Sequence, residues 1–429
     1  MDAVLQKTRV LLDYAACYDA FIELCQEACE TVYIGAWFID FDWRMNGKRT
    51  VRELIEEMCA RGVQVRILLT PNVIYAASLP QGLPDGCTVH YARTRGPRFR
   101  YFERRVVRKT AAALVPDYDY RLFSTHHKYL VADGRRALLG CIDVSEERNG
   151  SEVTGQTNSE GYVWSDTGVL TECDDALWRY CEDNFETRGE GEVDALPWVG
   201  PFPTQSHEAR LLVSMVEQSK RLLYIENQYL APMPRTEPNV VDALGRRLAR
   251  AIRDGEDFRV VVVTNHDHFN AMPAPRFTLG VNLYRALAHI ENVVARSGAS
   301  TEQLREHLVV ASLQRDEIPI FVHSKIFIQD DERVVLSTAN LIDRSQSLAA
   351  SDRELGIVID DAATVADLKQ RLVAKHMGEA VVDRPRSPDE IFALARASEG
   401  HFRKIPPASG GLWRTLWFRA VTTAAPSLR

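Results

Sequence analysis

An internal repeat constrains the fold of this chain more than any other property of its sequence. Residues 17–30 (CYDAFIELCQEACE) carry apolar side chains at helical spacing and lead into the strand-like run Val32 to Phe38. Residues 207–220 (HEARLLVSMVEQSK) repeat that helix and lead into Leu222 to Tyr229. A second helix follows each strand, at about 50–61 and about 239–253, and then a second apolar strand, Val63 to Leu69 and Phe258 to Val263. The spacing is nearly constant: 191 residues separate Tyr33 from Tyr224, and 194 separate Thr70 from Thr264. Near-continuous apolar strands alternating with helices predict sheets buried on both faces. The expected fold is therefore α/β, with two related halves over residues 1–200 and 201–429, each a mostly parallel sheet flanked by helices. The Pro-rich stretch 197–203 (PWVGPFP) is the expected linker.

Composition narrows the function. The 429 residues are 45% hydrophobic and 26% charged, ordinary for a globular protein and unlike a disordered or fibrous one. No apolar run approaches the roughly 18 residues of a membrane helix. The first twenty residues, with Asp2 and scattered charges, do not read as a signal peptide. A cytoplasmic or peripheral-membrane location is expected, with non-classical export left open. A net charge of −7 argues against a globally basic nucleic-acid binder. None of the 8 Cys forms a CxxC pair, so free thiols are expected rather than a disulfide framework or zinc site.

Chemistry sits at equivalent places in the two halves. His126-His127-Lys128-Tyr129-Leu130-Val131-Ala132-Asp133 and His323-Ser324-Lys325-Ile326-Phe327-Ile328-Gln329-Asp330 both read H-x-K-x4-D, 197 residues apart. With 11 His and 9 Lys in the chain, chance predicts roughly 0.015 such matches. On a strand, His and Lys two apart share a face. Asp143 and Asn340 each lie 17 residues after their motif histidine.

These motifs resemble those of the phospholipase D superfamily, whose members carry two HKD motifs in one chain. Ile225-Glu226-Asn227-Gln228 and Ser337-Thr338-Ala339-Asn340-Leu341-Ile342-Asp343-Arg344-Ser345 are similar to the IENQ and GSAN-x-x-DRS segments of its phospholipase D branch. Val163-Trp164-Ser165-Asp166 resembles the W-H-D segment, and Ser351-Asp352-Arg353-Glu354 the D-S-E segment. The departures are Ser337 for Gly, Thr338 for Ser, Ser165 for His and Arg353 for Ser. The resemblance implies a pseudo-dimer with one shared active-site cleft. It assigns orientation of the motif imidazoles to Asp166 for the first half and Glu354 for the second, makes Asp133 and Asp330 supporting residues, and makes His126 the nucleophile.

The residue types suit phosphodiester chemistry. One imidazole attacks phosphorus and leaves again, and a second feeds a proton to the leaving alcohol and then activates water or an incoming alcohol. Lys128 and Lys325 supply fixed positive charge, and Asn340 donates to a phosphate oxygen, whereas an ionised Asp143 only accepts. The expected catalytic set is His126, Lys128, Asp143, His323, Lys325 and Asn340, with no cofactor and no metal. Gln228 is read either as an ordinary strand end or as a substrate contact. His266 and His268 are read as core or cleft residues, and His127 as structural. The basic run 93–109 suits anionic lipid or a solvated surface segment, and Leu412, Trp413, Leu416 and Trp417 suit a docked helix or an interfacial anchor.

The resulting expectation is a phospholipase D hydrolysing, and also transferring, the phosphatidyl group of phospholipids at a membrane surface. The expected chain is a monomer without a nucleic-acid partner. Alternatives are a phosphatidyltransferase such as a phosphatidylserine or cardiolipin synthase, a nuclease or other non-lipid phosphodiesterase, and a catalytically dead scaffold.

Overall fold

The computed structural model describes residues 8–70, 82–93, 95–98, 121–123, 125–140, 143–152, 154–159, 161–189, 205–266, 273–347, 352–379 and 382–405. Most of the basic run, the 197–203 linker, His268 and the 412–417 segment lie outside these residues.

The first half supplies strands β1 (Arg9–Leu12), β2 (Thr31–Ala36), β3 (Gln64–Leu69), β4 (Cys87–Tyr91), β5 (Tyr129–Ala132), β6 (Arg136–Gly140), β7 (Val163–Ser165) and β8 (Thr167–Glu172). All but β7 form one sheet in the order β1-β8-β6-β5-β2-β3-β4. The second half supplies β9 (Leu222–Asn227), β10 (Arg259–Val263), β11 (Leu308–Arg315), β12 (Ile318–Val322), β13 (Lys325–Gln329), β14 (Arg333–Ser337), β15 (Gly356–Ile359) and β16 (Phe402–Lys404). Its sheet runs β7-β12-β11-β10-β9-β13-β14-β15, with β16 beside β11.

The centres of the two sheets are built alike. The motif strand (β5 or β13) pairs antiparallel with β2 or β9, which pairs in parallel with β3 or β10. On its other side the motif strand turns back into β6 or β14, and β8 or β15 follows antiparallel. The sheets are thus mixed rather than mostly parallel. Each motif ends in a tight turn, with φ of +52° at Asp133 and +51° at Asp330, and a turn that short joins only antiparallel strands. The strands read as apolar because both of their faces are covered, whatever their direction.

Helices α1 (Asp13–Glu27), α2 (Val51–Ala60), α3 (Asp175–Glu186), α4 (Gln205–Gln218), α5 (Val240–Asp254), α6 (Pro273–Arg296) and α7 (Ala362–His376) provide that cover. Local sequence sets where they start: Thr50 and Glu53 form a capping box before α2, and the Asp361 carboxylate caps α7 by accepting from Thr364 N. One core lies between the sheets. It combines Val131, Leu139 and Val169 of the first half with Ile326, Leu336 and Ile357 of the second, and includes Leu177 and Phe185 of α3 and Leu368 and Leu372 of α7. Each such fully buried side chain contributes about 1.5–3 kcal/mol. A second core packs α1 and α2 on the outer face of the first sheet, and a third packs α4, α5 and α6 outside the second. The central core therefore holds the inner faces of both sheets against one another, with α3 and α7 between them.

Candidate active site

The two motif histidines lie just before β5 and β13, each an internal strand of its sheet. Each backbone N–H crosses to the opposite half: His126 N donates to the Arg353 carbonyl and His323 N to the Ser165 carbonyl, both at 2.8 Å. The same crossing is seen in pairing. β7 leaves the first half and aligns in parallel with β12, and Thr125 forms a parallel bridge with Arg353.

These crossings deliver the carboxylates. His323 Nδ1 lies 2.5 Å from Asp166 Oδ2, and His126 Nδ1 lies 2.9 Å from Glu354 Oε2. The pairing expected from the sequence, Asp166 with His126 and Glu354 with His323, is therefore reversed. Each carboxylate follows a backbone segment that pairs with the opposite half's motif, so it reaches across rather than back. Further donors fix both acids. Tyr14 Oη donates to Asp166 Oδ2 at 2.7 Å, and Thr338 Oγ1 donates to Glu354 Oε2 at 2.6 Å. The Ser-to-Thr departure at 338 thus keeps the hydroxyl in use. Trp37 presents an edge contact to the His126 ring at 6.3 Å between centroids, and Trp164 one to His323 at 5.1 Å.

Lys128 and Lys325 curl back on their own motifs: Lys128 Nζ donates to the His126 carbonyl at 2.9 Å and Lys325 Nζ to the His323 carbonyl at 2.5 Å. Lys128 also lies 3.5 Å from Asp143, whose Oδ1 accepts from the backbone N–H groups of Trp37 and Phe38. Asn340 is buried, and its Oδ1 has no hydrogen-bond partner among the described residues.

Electrostatics place these groups in one site. Burial, aided by Lys128 and by Lys325 of the opposite half, holds His126 well below its usual range. Burial and Lys325 do the same to His323. Burial lowers Lys325 to about 7; Asp166 opposes the shift and Lys128 adds to it. Burial works against ionisation of Asp166, but His323 and Lys325 outweigh it and keep the carboxyl below the ordinary range. Burial raises Glu354 to about 7 despite Thr338, Lys128 and Lys325. Both imidazoles therefore favour the neutral form, and the ionised Asp166 accepts from His323 Nδ1–H.

The other sequence-predicted residues separate into roles. Asp133 accepts from the N–H groups of Cys29, Glu30 and Thr31, and Asp330 from those of Lys220, Arg221 and Leu222. Both carboxylates anchor the turn to the start of the neighbouring strand. Gln228 is half-buried just past β9, and its carbonyl accepts from Asn265 Nδ2. His127 turns to the opposite face and meets Tyr180 Oη at 3.2 Å, and His266 meets Tyr284 Oη at 2.8 Å. Sequence reading missed Tyr14 and Trp37, because their neighbours in the site are distant in the chain. It also missed Arg148, stacked 4.0 Å over the Trp164 ring.

Comparisons with known proteins agree with this geometry. A family model described as "Cardiolipin synthase, PLD-like domain" matches residues 212–375. The chain is 26% identical over 272 residues to phospholipase D of Phytophthora infestans, covering 54% of this chain and 14% of that protein. It is 30% identical over 182 residues to phospholipase D zeta 2 of Arabidopsis thaliana, covering 35% and 16%. It thus spans less than a fifth of the length of these relatives. Among solved structures, phosphatidylserine synthase of Haemophilus influenzae Rd KW20 aligns with a TM-score of 0.54 at 14% identity, over 94% of this chain and 88% of that one, a likeness of fold. With its repeated sheets and its two H-x-K-x4-D motifs, the chain is similar to proteins of the phospholipase D superfamily, and residues 212–375 match a PLD-like domain.

Proposed function

We propose that the chain is a phospholipase D-type phosphodiesterase acting on the phosphatidyl group of glycerophospholipids. Its two halves, 1–200 and 201–429, are read as a duplication sharing one site. The observation that carries the reading is the reciprocal exchange of carboxylates, which gives two oriented imidazoles and two motif lysines facing one site.

In the proposed reaction His126 Nε2 attacks phosphorus while the bond to the head-group oxygen breaks. With the anionic phosphodiester bound, His323 takes up a proton from solvent at Nε2 and gives it to that oxygen, and the free alcohol leaves. Lys128, Lys325 and the Asn340 amide take up charge on the non-bridging oxygens. In the second step His323 removes a proton from water, whose oxygen attacks phosphorus and breaks the phosphorus–nitrogen bond. A primary alcohol in place of water gives a new phosphodiester. Likeness to the superfamily supports phosphodiester chemistry in general; the curated phospholipase D relatives support the hydrolase, while the family model is of cardiolipin synthase type.

The test is a product assay on mixed-lipid vesicles with and without ethanol, beside cleavage of single-stranded DNA. Release of phosphatidic acid, diverted to phosphatidylethanol by the alcohol, is the expected result. Transfer to a lipid alcohol without hydrolysis would favour a synthase, and DNA cleavage alone would overturn the lipid reading.

A further inference from the structure

Each orienting carboxylate is preceded by a side chain that is itself held from the opposite half. Ser165, before Asp166, accepts at Oγ from Lys375 Nζ at 2.8 Å. Arg353, before Glu354, donates through Nη1 to Asn184 Oδ1 at 3.0 Å. Lys375 and Asn184 both lie in the last turn of an inner helix, α7 and α3, and both are buried. They are 191 residues apart, the same offset that relates Tyr33 to Tyr224. Asn184 Nδ2 donates to the Tyr180 carbonyl at 2.7 Å, which fixes the amide with Oδ1 toward Arg353. Lys375 is held in turn by Asp13 at 3.3 Å and Glu152 at 3.5 Å.

The carbonyls of the same two residues, Ser165 and Arg353, receive the His323 and His126 N–H groups. Ser165 and Arg353 therefore sit between a helix and a motif, and a shift of either moves both the histidine backbone and the carboxylate bonded to its ring. They are also two of the positions where this chain departs from the motifs it resembles.

We propose that Ser165–Lys375 and Arg353–Asn184 are matched struts that position the Asp166–His323 and Glu354–His126 pairs. The polarity is opposite in the two: in one the helix donates to the strand, in the other it accepts. These are positioning residues, and the inference rests on the reading that His126 and His323 do the chemistry. A misplacement of well under an ångström at such a site lowers turnover without much effect on binding.

The test uses the full chain and reads each histidine separately. The Nδ1–H proton of His323, in its 2.5 Å bond to Asp166, gives a far-downfield resonance that isotope-labelled histidine assigns. The other charged groups bearing on His323 are Lys325 and Arg148, and those on His126 are Lys128, Asp352, Lys325 and Asp143, none of which the variants touch. Ser165→Ala removes only the hydroxyl. It is expected to lower kcat about tenfold with KM within twofold, and to shift the His323 resonance upfield while leaving that of His126 in place. Asn184→Ala is expected to do the reverse. Ser165→Thr keeps an acceptor and is expected to stay near wild type. Lys375→Met also strips a cation from Asp13 and Glu152 and endangers the fold, so the hydroxyl-only change is the primary variant.

Alanine and threonine variants that behave alike, or resonances that move together, would overturn the struts. The resonances need no substrate, so they report on the struts even if the vesicle assay rejects the lipid reading. Normal lipid turnover with unmoved resonances would sink the struts alone.

Discussion

The buried charge cluster beneath the second motif lends itself to a stability measurement. His376 is fully buried, with Nδ1 2.7 Å from Glu152 Oε1 and Nε2 2.8 Å from Glu226 Oε1. Both ring nitrogens face carboxylates, so both donate and the ring is an imidazolium. Burial opposes that charge, but Glu152 and Glu226 overcome it and raise His376 from 6.5 to about 9. At about 1.4 kcal/mol per unit, the rise is worth about 3 kcal/mol of stability. The folded value is raised, so this stability is fully present below pH 6.5 and is lost as pH climbs through 9. Breaking a buried pair by removing one partner costs about 3–5 kcal/mol, the same order.

His376→Gln keeps a donor toward one glutamate and abolishes the charge. Urea unfolding followed by tryptophan fluorescence, from pH 5.5 to 9.5, is the assay. The variant is expected to be less stable by about 3 kcal/mol at pH 6, with the gap closing to under about 1 kcal/mol at pH 9.5. Glu208, raised by burial to about 8, and Glu354, at about 7, titrate in the same window. They do so in both proteins and cancel in the difference. A gap that is constant with pH would show that His376 stabilises by packing, and the charge argument would be refuted.

Other expectations follow from the site. His126→Ala and His323→Ala should each abolish turnover, with the double variant no worse than either, because the two act as a unit; substantial activity in either single variant would break the shared-site reading. Chelators should leave hydrolysis of a soluble phosphodiester intact, because Lys128, Lys325 and Asn340 supply the charge stabilisation; a strict requirement for added divalent metal would contradict this. Burial lowers Lys325 to about 7, and a bound phosphate anion should raise it, so binding of a phosphate ester at pH 7.5 should take up protons. Calorimetry in buffers of different ionisation enthalpy reads that uptake, and proton release would reverse the sign. Quenching turnover with denaturant at mildly alkaline pH, where a histidine phosphorus–nitrogen bond survives, should trap a phosphatidyl group on His126, located by peptide mass spectrometry.

Much of this was legible in the chain. The repeat, the motif strands and the Asp143 and Asn340 offsets are local patterns, and they carry the two α/β halves and the pairing of the motifs, though not the mixed strand directions. The error at Asp166 and Glu354 has a physical origin. Sequence distance favours pairing within a half, and only the exchange of β7 and the Thr125–Arg353 bridge reverses it. Glu226 was read as part of a segment beside the cleft. Its side chain instead accepts from Ser324 Oγ at 2.6 Å and meets His376 beneath the motif. The alternation of a strand decides that, and an all-apolar strand hides its own phase. Tyr14, Lys375 and Asn184 lie on helices whose pattern reads simply as core-facing, so their polar tips carried no signal.

The exchange of carboxylates also bears on how two identical motifs divide the labour. The motifs themselves offer both histidines the same neighbours two and seven residues on, so any asymmetry comes from what crosses over. His323 receives Asp166, which remains ionised against burial and takes a further bond from Tyr14. An anion at 2.5 Å favours the imidazolium that a general acid must become as substrate charge enters. His126 receives Glu354, which burial raises to about 7 and which therefore supports an imidazolium less. Its imidazole stays neutral with Nε2 available for attack, which is the state a nucleophile needs. Asp143 beside Lys128 has its charge matched there, so it does not upset this division. In the proposed two steps the phosphatidyl group therefore goes to His126 and the mobile proton to His323. An adduct found on His323 and none on His126 would exchange the roles, and with them the meaning of the Asp166–Glu354 difference, while the two-step displacement would stand.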